Sequence, residues 1–336
     1  MNQSKRCCIL LATYNSEEFL PQLLESLAKQ SCLDFQLIVS DDGSTDSTLR
    51  ILEEFSAHNF DISVSVHVRE SINPNPLSNF SYLCELGLQE QYELYFFCDH
   101  DDIWHGNKIA DYVEALNDLQ TVHRGPVALY SDPRLIDGGG NHLFGSFKKY
   151  QGSVRSVHKD LMVLMHQNSV PGCTIAMNWD LMRLGTPVPA QATMHDHWFV
   201  LLACVSGLLV ELSGCHLSYR QHKRNYIGAK KPHRLTSLLS LEGVRRLICY
   251  PLNFIRSVKQ SGLILSRISE RGLVIDSMKK EGLESVYSLL SANIYDRLTH
   301  RCVLFPHQRR FFEVIFIVFV LSLLPIFKSL ANVDKK

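Results

Sequence analysis

Asp99-His100-Asp101-Asp102 closes the apolar run Leu94–Cys98. Carboxylates two residues apart on extended chain can share one hard cation, since Mg2+ and Mn2+ take one or two carboxylates together with substrate phosphates and water. The same residues can instead form a turn and helix cap, which short acidic side chains do well. Asp41-Asp42 closes a second apolar run, Phe35–Ser40. Carboxylates facing one crevice repel each other unless a cation or hydrogen-bond donors sit among them. His222 lies in the polar run Ser218–Asn225. Its imidazole can complete a metal shell or remain a solvated surface histidine. Asp196, between His195 and His197, precedes an apolar helical run. It can be that helix's N-cap, or a general base beside a crevice. The flanking histidines bring a Ser-His-Asp hydrolase to mind, but no serine stands in a nucleophile context.

The segments between these clusters predict how they are held. Cys7–Ala12 is short and wholly apolar, as a buried parallel strand should be. Thr13-Tyr14-Asn15-Ser16 follows with turn and cap chemistry. Phe19, Leu20, Leu23, Leu24 and Leu27 recur at helical spacing within Glu17–Gln30, which Ser16 can cap. Phe35–Ser40, Ile62–Val68, Leu94–Cys98 and Val127–Ser131 read as strands, and Ser47–Ala57, Asn79–Leu88 and Lys108–Leu119 as helices. The alternation argues for an α/β fold with a mostly parallel sheet flanked by helices. Ligands of such sheets bind outside the carboxyl ends of the strands. Thr13–Asn15, Asp41-Asp42 and Asp99–Asp102 all fall there. The stretch from Asp132 to about Lys230 is less regular. It holds a Gly138–Asn141 turn, a Pro171-Gly172 turn before the apolar Cys173–Met177, and a helix over His197–Ser206.

Composition narrows the function classes. The 336 residues are 46% hydrophobic and 20% charged, enough for a sizeable core and against extensive disorder. A mean hydropathy of −0.03 excludes a polytopic transporter. Net charge is zero, but unevenly spread. Residues 1–230 hold 17 basic and 26 acidic side chains, and residues 231–336 hold 17 and 8. The acidic front argues against nucleic acid as a partner, and the basic end points to an anionic surface. None of the ten cysteines forms a C-x-x-C pair, and most sit at apolar positions. Reduced thiols of a cytoplasmic protein are the expectation. The dinucleotide-binding G-x-G-x-x-G, the P-loop and the G-x-S-x-G elbow are all missing from the sequence.

The order Thr13-Tyr14-Asn15, Asp41–Asp46, Asp99–Asp102, His195-Asp196 before Trp198, then Tyr219-Arg220-Gln221-His222 resembles glycosyltransferase family 2, with its GT-A fold. Phe97–Trp104 followed by Asn107-Lys108, Met194–Trp198, and Tyr219–His222 with Asn225 resemble its bacterial rhamnosyltransferase-like branch. The resemblance implies a donor-binding set of Thr13, Tyr14, Asn15, Asp42, Asp99 and Lys108, with Tyr14 and Asp42 on the base and ribose. It implies a Mg2+ or Mn2+ site from Asp99, Asp101 and His222, and Asp196 as the catalytic base of an inverting transfer. The implied donor is a nucleotide-sugar, dTDP-L-rhamnose first, and the acceptor a glycan or lipid-linked glycan of surface polysaccharide, O-antigen among them. Three alternatives stand beside this reading: a polyprenyl-phosphate glycosyltransferase, a catalytically inactive glycan-binding subunit, and a sugar nucleotidylyltransferase. The last usually begins with a Gly-rich loop and lysine that are missing here.

The expected organisation is a nucleotide-sugar-binding half over 1–125, an acceptor-binding half over 126–230, and a basic helical tail over 231–336. Residues 314–327 of that tail are uncharged, and the apolar segment 311–327 is flanked by Arg309, Arg310 and Lys328. Fourteen uncharged residues fall short of the ~20 that span hydrocarbon. The segment can be a buried terminal helix, or it can associate with the anionic inner face of the cell membrane.

Overall fold

The computed structural model describes residues 6–70, 73–152, 161–166, 168–223, 225, 228, 256 and 258–288. The chain divides into two compact units, one of residues 1–159 and 168–232, the other of 160–167 and 233–336. The apolar segment 311–327 lies outside the described residues, as does the basic tail apart from 256 and 258–288.

The strands in chain order are β1 (Cys7–Thr13), β2 (Phe35–Asp41), β3 (Ser63–Val68), β4 (Leu94–Asp99), β5 (Ile103–Trp104), β6 (Val127–Ser131), β7 (Arg134–Asp137), β8 (His142–Phe144), β9 (Ala176–Asn178), β10 (Leu208–Leu212) and β11 (Leu217–Gln221). The helices are α1 (Leu20–Ala28), α2 (Thr48–His58), α3 (Pro76–Gly87), α4 (Lys108–Gln120), α5 (Phe147–Tyr150), α6 (Leu161–His166), α7 (Trp179–Gly185), α8 (His195–Ser206), α9 (258–270) and α10 (Ser277–Ser288).

The large sheet runs β10-β6-β9-β4-β1-β2-β3. Its strands are parallel except β9, which is antiparallel to both β4 and β6. The chain builds β1 to β3 outward on one side, then returns to place β4 on the other side of β1. The crevice at β1 and β4 is therefore the topological switch point, where α/β sheets bind ligands. Register sharpens this: Thr13 pairs with Asp41, and Ala12 with Asp99, so three polar clusters end on one line.

The central strands are apolar throughout because helices cover both faces. Cys7 to Leu11, and Leu94 to Cys98, are wholly buried. Leu20, Leu23, Leu24 and Leu27 of α1 pack on this core, each burial contributing roughly 1.5–3 kcal/mol. Helix α1 starts at Leu20 rather than Glu17, because a turn precedes it. Phe19 and Leu20 amides donate to the Ser16 carbonyl, and Pro21 occupies the first turn. Helix α3 starts earlier than Asn79. Asn75 Oδ1 accepts from the Leu77 amide, and Pro76 needs no amide partner there.

Two features escape the periodicity. The Cys173–Met177 run is split between a 3-10 turn, Gly172–Thr174, and the reversed strand β9. A second sheet, β5-β11-β7-β8, lies outside the main alternation. Its strands have two to five residues, and β11 reads as a polar run because its buried face carries Ser218 and Arg220. All eight cysteines among the described residues are free.

In the other unit, α9 and α10 approach closely, since a Cβ on Gly262 would meet the Tyr287 ring at 2.3 Å. No helix among the described residues is long and apolar enough to cross a membrane.

Candidate active site

A cavity of about 700 Å3 opens at the carboxyl ends of β1, β2 and β4. Thr13, Tyr14, Asn15, Asp42, Asp99, Asp101, Asp196 and His222 all line it, and Lys108 does not. Eight of the nine singled-out positions therefore share one space, although they come from five regions of the chain.

The β1 and β2 ends are braced against each other. Asp41 Oδ2 accepts from Thr13 Oγ1 at 2.7 Å and from Ser44 Oγ at 2.6 Å, while its Oδ1 accepts from the Gly43 and Ser44 amides. Asp41 is thus consumed in shaping the turn, and its neighbour Asp42 faces the cavity. Asn15 sits at φ 47°, a left-handed conformation that asparagine tolerates. Its amide donates to Ser44 Oγ and its Oδ1 accepts from the Thr45 amide, so the loops after β1 and β2 are stitched together. Asp42 accepts from Arg69 Nη1 at 3.0 Å and from the Asn75 amide at 3.1 Å. Burial pushes its carboxyl above the usual range against those donors. Arg69 also donates to Ser78 and lies over the Tyr82 ring. Arg69 carries no motif of its own, so only the fold places it here.

Three carboxylates at the β4 end take different roles. Asp99 borders the cavity, and its carboxyl is pushed up to about 7, first by burial and then by the charges of Asp101 and Asp196. Asp101 is the more buried of the two, yet hydrogen bonding to His222 holds it below its ordinary value against that burial. His222 Nε2 lies 2.7 Å from Asp101 Oδ2, with the Phe19 ring 4.6 Å from the imidazole. Asp102 points away from the cavity. Its Oδ1 accepts from the Arg220 amide, Oδ2 has no hydrogen-bond partner, and burial raises its carboxyl strongly. Asp99, Asp102 and Cys173 bring ligand-type atoms within 4.8 Å of one another.

Lys108 is fully buried behind this cluster. Its Nζ donates to the Cys173 carbonyl at 2.8 Å and stands 3.5 Å from the Trp104 ring centroid. Burial lowers its ammonium to about 8. The sequence places Lys108 just after the acidic cluster, but α4 turns it into the core.

A carboxylate and an imidazole facing one cavity suit Mn2+ as a donor set, with Mg2+ served by the oxygens. Asp101 and His222 are the pair that fits such an ion, and Asp99 is near enough to feel the Asp101 charge.

Asp196 joins the cavity from the first turn of α8. It is not the cap of α8: Met194 is the N-cap, and Asp196 lies in the first turn. Its Oδ2 accepts from Asn168 Nδ2 at 3.0 Å and its Oδ1 from the His197 amide at 2.6 Å. Burial raises its carboxyl to about 6. His195 stacks on Phe80 at 3.9 Å and meets Phe97 edge-on, and burial alone drives its imidazole to about 3, so it stays neutral. Gly172 packs against Asp196, where a Cβ would stand 3.1 Å from Oδ2. Gly172 belongs to the Pro171-Gly172 turn and Asn168 precedes it, and the sequence shows that bend but not the carboxylate it serves.

Comparison with known proteins agrees with this geometry. Residues 8–135 match the family model for glycosyl transferase family 2. The chain is 33% identical over 133 residues to the dTDP-rhamnosyl transferase RfbG of Shigella flexneri, covering 38% of this chain and 45% of that protein. It is 33% identical over 105 residues to the poly(ribitol-phosphate) beta-N-acetylglucosaminyltransferase TarS of Staphylococcus aureus, covering 31% of this chain and 17% of that protein. The chain thus spans less than half the length of these relatives. The solved structure of S. aureus TarS 1-349 in complex with UDP superposes with a TM-score of 0.54 at 16% identity, over 89% of this chain and 79% of that one. Mannosyltransferase PcManGT from Pyrobaculum calidifontis, in complex with GDP-Man and Mn2+, superposes with a TM-score of 0.50 at 11% identity, over 96% of this chain and 87% of that one. At these identities the structural likeness speaks for the fold. Sequence match and sheet order converge: residues 8–135 are similar to glycosyl transferase family 2, and the fold is a GT-A-like α/β fold.

Proposed function

We propose that this chain is an inverting, divalent-cation-dependent glycosyltransferase that moves a sugar from a nucleotide-sugar to a hydroxyl of a glycan or lipid-linked glycan in surface polysaccharide synthesis. The observation that carries the reading is the meeting of Asp99, Asp101, His222 and Asp196 around one cavity at the sheet's switch point. The dTDP-rhamnosyl transferase relative makes dTDP-L-rhamnose the first donor to test.

Thr13, Tyr14, Asn15 and Asp42 line the part of the cavity that would take the nucleoside. Asp101 and His222, with Asp99 beside them, would hold Mn2+ or Mg2+. That ion supplies neutralisation of the charge developing on the diphosphate leaving group. Asp196 has the properties of a general base at neutral pH: it borders the cavity, its ordinary pKa is raised to about 6, and two donors fix its orientation. It takes the proton from the acceptor hydroxyl as that oxygen attacks the anomeric carbon. The bond from that carbon to the diphosphate oxygen breaks with its electron pair leaving on the diphosphate. Attack from the face opposite the leaving group inverts the configuration, and no covalent enzyme intermediate is required.

The tail completes the reading for a lipid-linked acceptor. The excess of basic residues after position 230 and the apolar run 311–327 have the composition of a segment that sits on an anionic leaflet, where each basic residue near the surface contributes about 1 kcal/mol.

The test is incubation of the purified chain with a panel of nucleotide-sugars and Mn2+, reading nucleoside diphosphate release and the anomeric configuration of the product. Release that requires the metal, with inverted product, is expected. Metal-independent release, or a product of retained configuration, would overturn the proposal.

A further inference from the structure

We infer that Arg220, with Asn225, is a positioning clamp that sets the relation between Asp101 and His222 and thereby the affinity of the cation site; the inference rests on the proposed function. Arg220 is completely buried, and its guanidinium makes its hydrogen bonds away from carboxylates. Nε donates to the Asp101 carbonyl at 2.7 Å, Nη1 to the Gly138 carbonyl at 2.9 Å and more weakly to that of Asp137, and Nη2 to Gln22 Oε1 at 2.6 Å. The Phe19 ring lies 4.9 Å from the guanidinium carbon, and the same ring meets His222. One side chain on β11 thus ties down the backbone of the Asp101 carboxylate, the turn between β7 and β8, and helix α1.

Asn225 closes the circuit. Its Oδ1 accepts from the His222 amide at 2.5 Å, and its Nδ2 donates to the Arg220 carbonyl at 2.9 Å and to Asp101 Oδ2 at 3.3 Å. Asp101 is therefore held at its backbone by Arg220 and at its side chain by Asn225, which also holds the backbone amide of His222. Arginine suits this position because its rigid fork aims donors in diverging directions, and a lysine ammonium cannot reach the same acceptors from one nitrogen. A buried guanidinium is costly unless its donors are satisfied, so its presence here needs a reason beyond packing.

Two variants of the full chain test the clamp. Arg220→Lys keeps the charge but loses the fork. Gln22→Ala removes one acceptor from an exposed helix position and leaves the core untouched. Binding of Mn2+, with and without dTDP, is read from the free-ion electron paramagnetic resonance signal, alongside the Tm of the metal-free proteins. Loss of a partner that orients a metal ligand weakens metal binding about 10–100-fold, the effect expected for Arg220→Lys. Gln22→Ala is expected to weaken it about fivefold, with a lowered Tm from the guanidinium donor it leaves unpaired. Should Arg220→Lys fail to fold, Gln22→Ala decides alone. Wild-type Mn2+ affinity in Gln22→Ala, or a lowered Tm with unchanged affinity in Arg220→Lys, would assign Arg220 to stability only and overturn the inference. Absence of Mn2+ binding by the wild type would instead overturn the proposed function, and the inference with it.

Discussion

Gly172 and Asp196 are in such close contact that a methyl group on the glycine would stand 3.0 Å from Asp196 Cβ and 3.1 Å from its Oδ2. The contact fixes the carboxylate from a loop that precedes β9, while Asn168 fixes it from the same loop through a hydrogen bond. Sequence separates these residues from Asp196 by more than twenty positions, and the fold makes them its immediate surroundings.

Gly172→Ala should therefore displace the carboxylate without dismantling the core. A misplacement of about 1 Å at a reacting group costs on the order of 100-fold. We expect that loss in the transfer rate, with the Tm changed little. Rates and melting curves of the purified variant check it, and a fully active Gly172→Ala protein would show that Asp196 has no fixed working position.

Lys108 separates a donor contact from a structural role. It is buried away from the cavity, and its loss leaves the Cys173 carbonyl without a donor. An unsatisfied buried acceptor costs about 1–3 kcal/mol. Lys108→Met should lose stability of that order in denaturant unfolding and keep the nucleotide-sugar KM within about twofold. A KM raised tenfold with unchanged stability would put Lys108 on the donor instead.

The tail has a salt-dependent signature. Residues 231–336 carry 17 basic and 8 acidic side chains. Attraction between exposed basic residues and an anionic bilayer is screened within about 8 Å at physiological ionic strength. Sedimentation with vesicles containing phosphatidylserine should be strong at low salt, fall at 0.5 M salt, and be lost from a chain truncated after residue 310. Equal sedimentation with neutral vesicles would remove the electrostatic attraction from the account, and none at low salt would remove the membrane.

Much of the front half is legible because each cue is local. The apolar runs at 7–12, 35–40 and 94–98 are continuous since both faces of the sheet are covered, and the polar clusters stand where those runs stop. The register that lines up Thr13, Asp41 and Asp99 follows from parallel pairing of such strands. Arg220 shows what sequence cannot give. Its setting comes from Gln22, Asp101 and Gly138, three distant segments, and nothing in the run Ser218–Asn225 distinguishes a buried arginine from a solvated one. Strands β5, β7, β8 and β11 are too short to show alternation, so the sheet that carries His222 to Asp101 is invisible to periodicity. Asp196 is an instructive case. Its place before an apolar helix suggests a cap, yet its carboxylate bonds to Asn168 and the His197 amide.

The central claim is that Asp196 removes the acceptor's proton. Its carboxyl, raised to about 6 by burial, acts only when ionised. Transfer should therefore rise with pH through about 6, level off above it, and fall away below as the group protonates. The most direct measurement is the pH profile of kcat/KM for the acceptor, taken on the wild type and on Asp196→Asn, with nucleotide-sugar binding measured on both. The account predicts a rate loss in Asp196→Asn of about 100- to 10,000-fold, no acidic limb in what remains, and donor affinity within twofold of the wild type. Undiminished transfer by Asp196→Asn, with the limb near pH 6 retained, would contradict it.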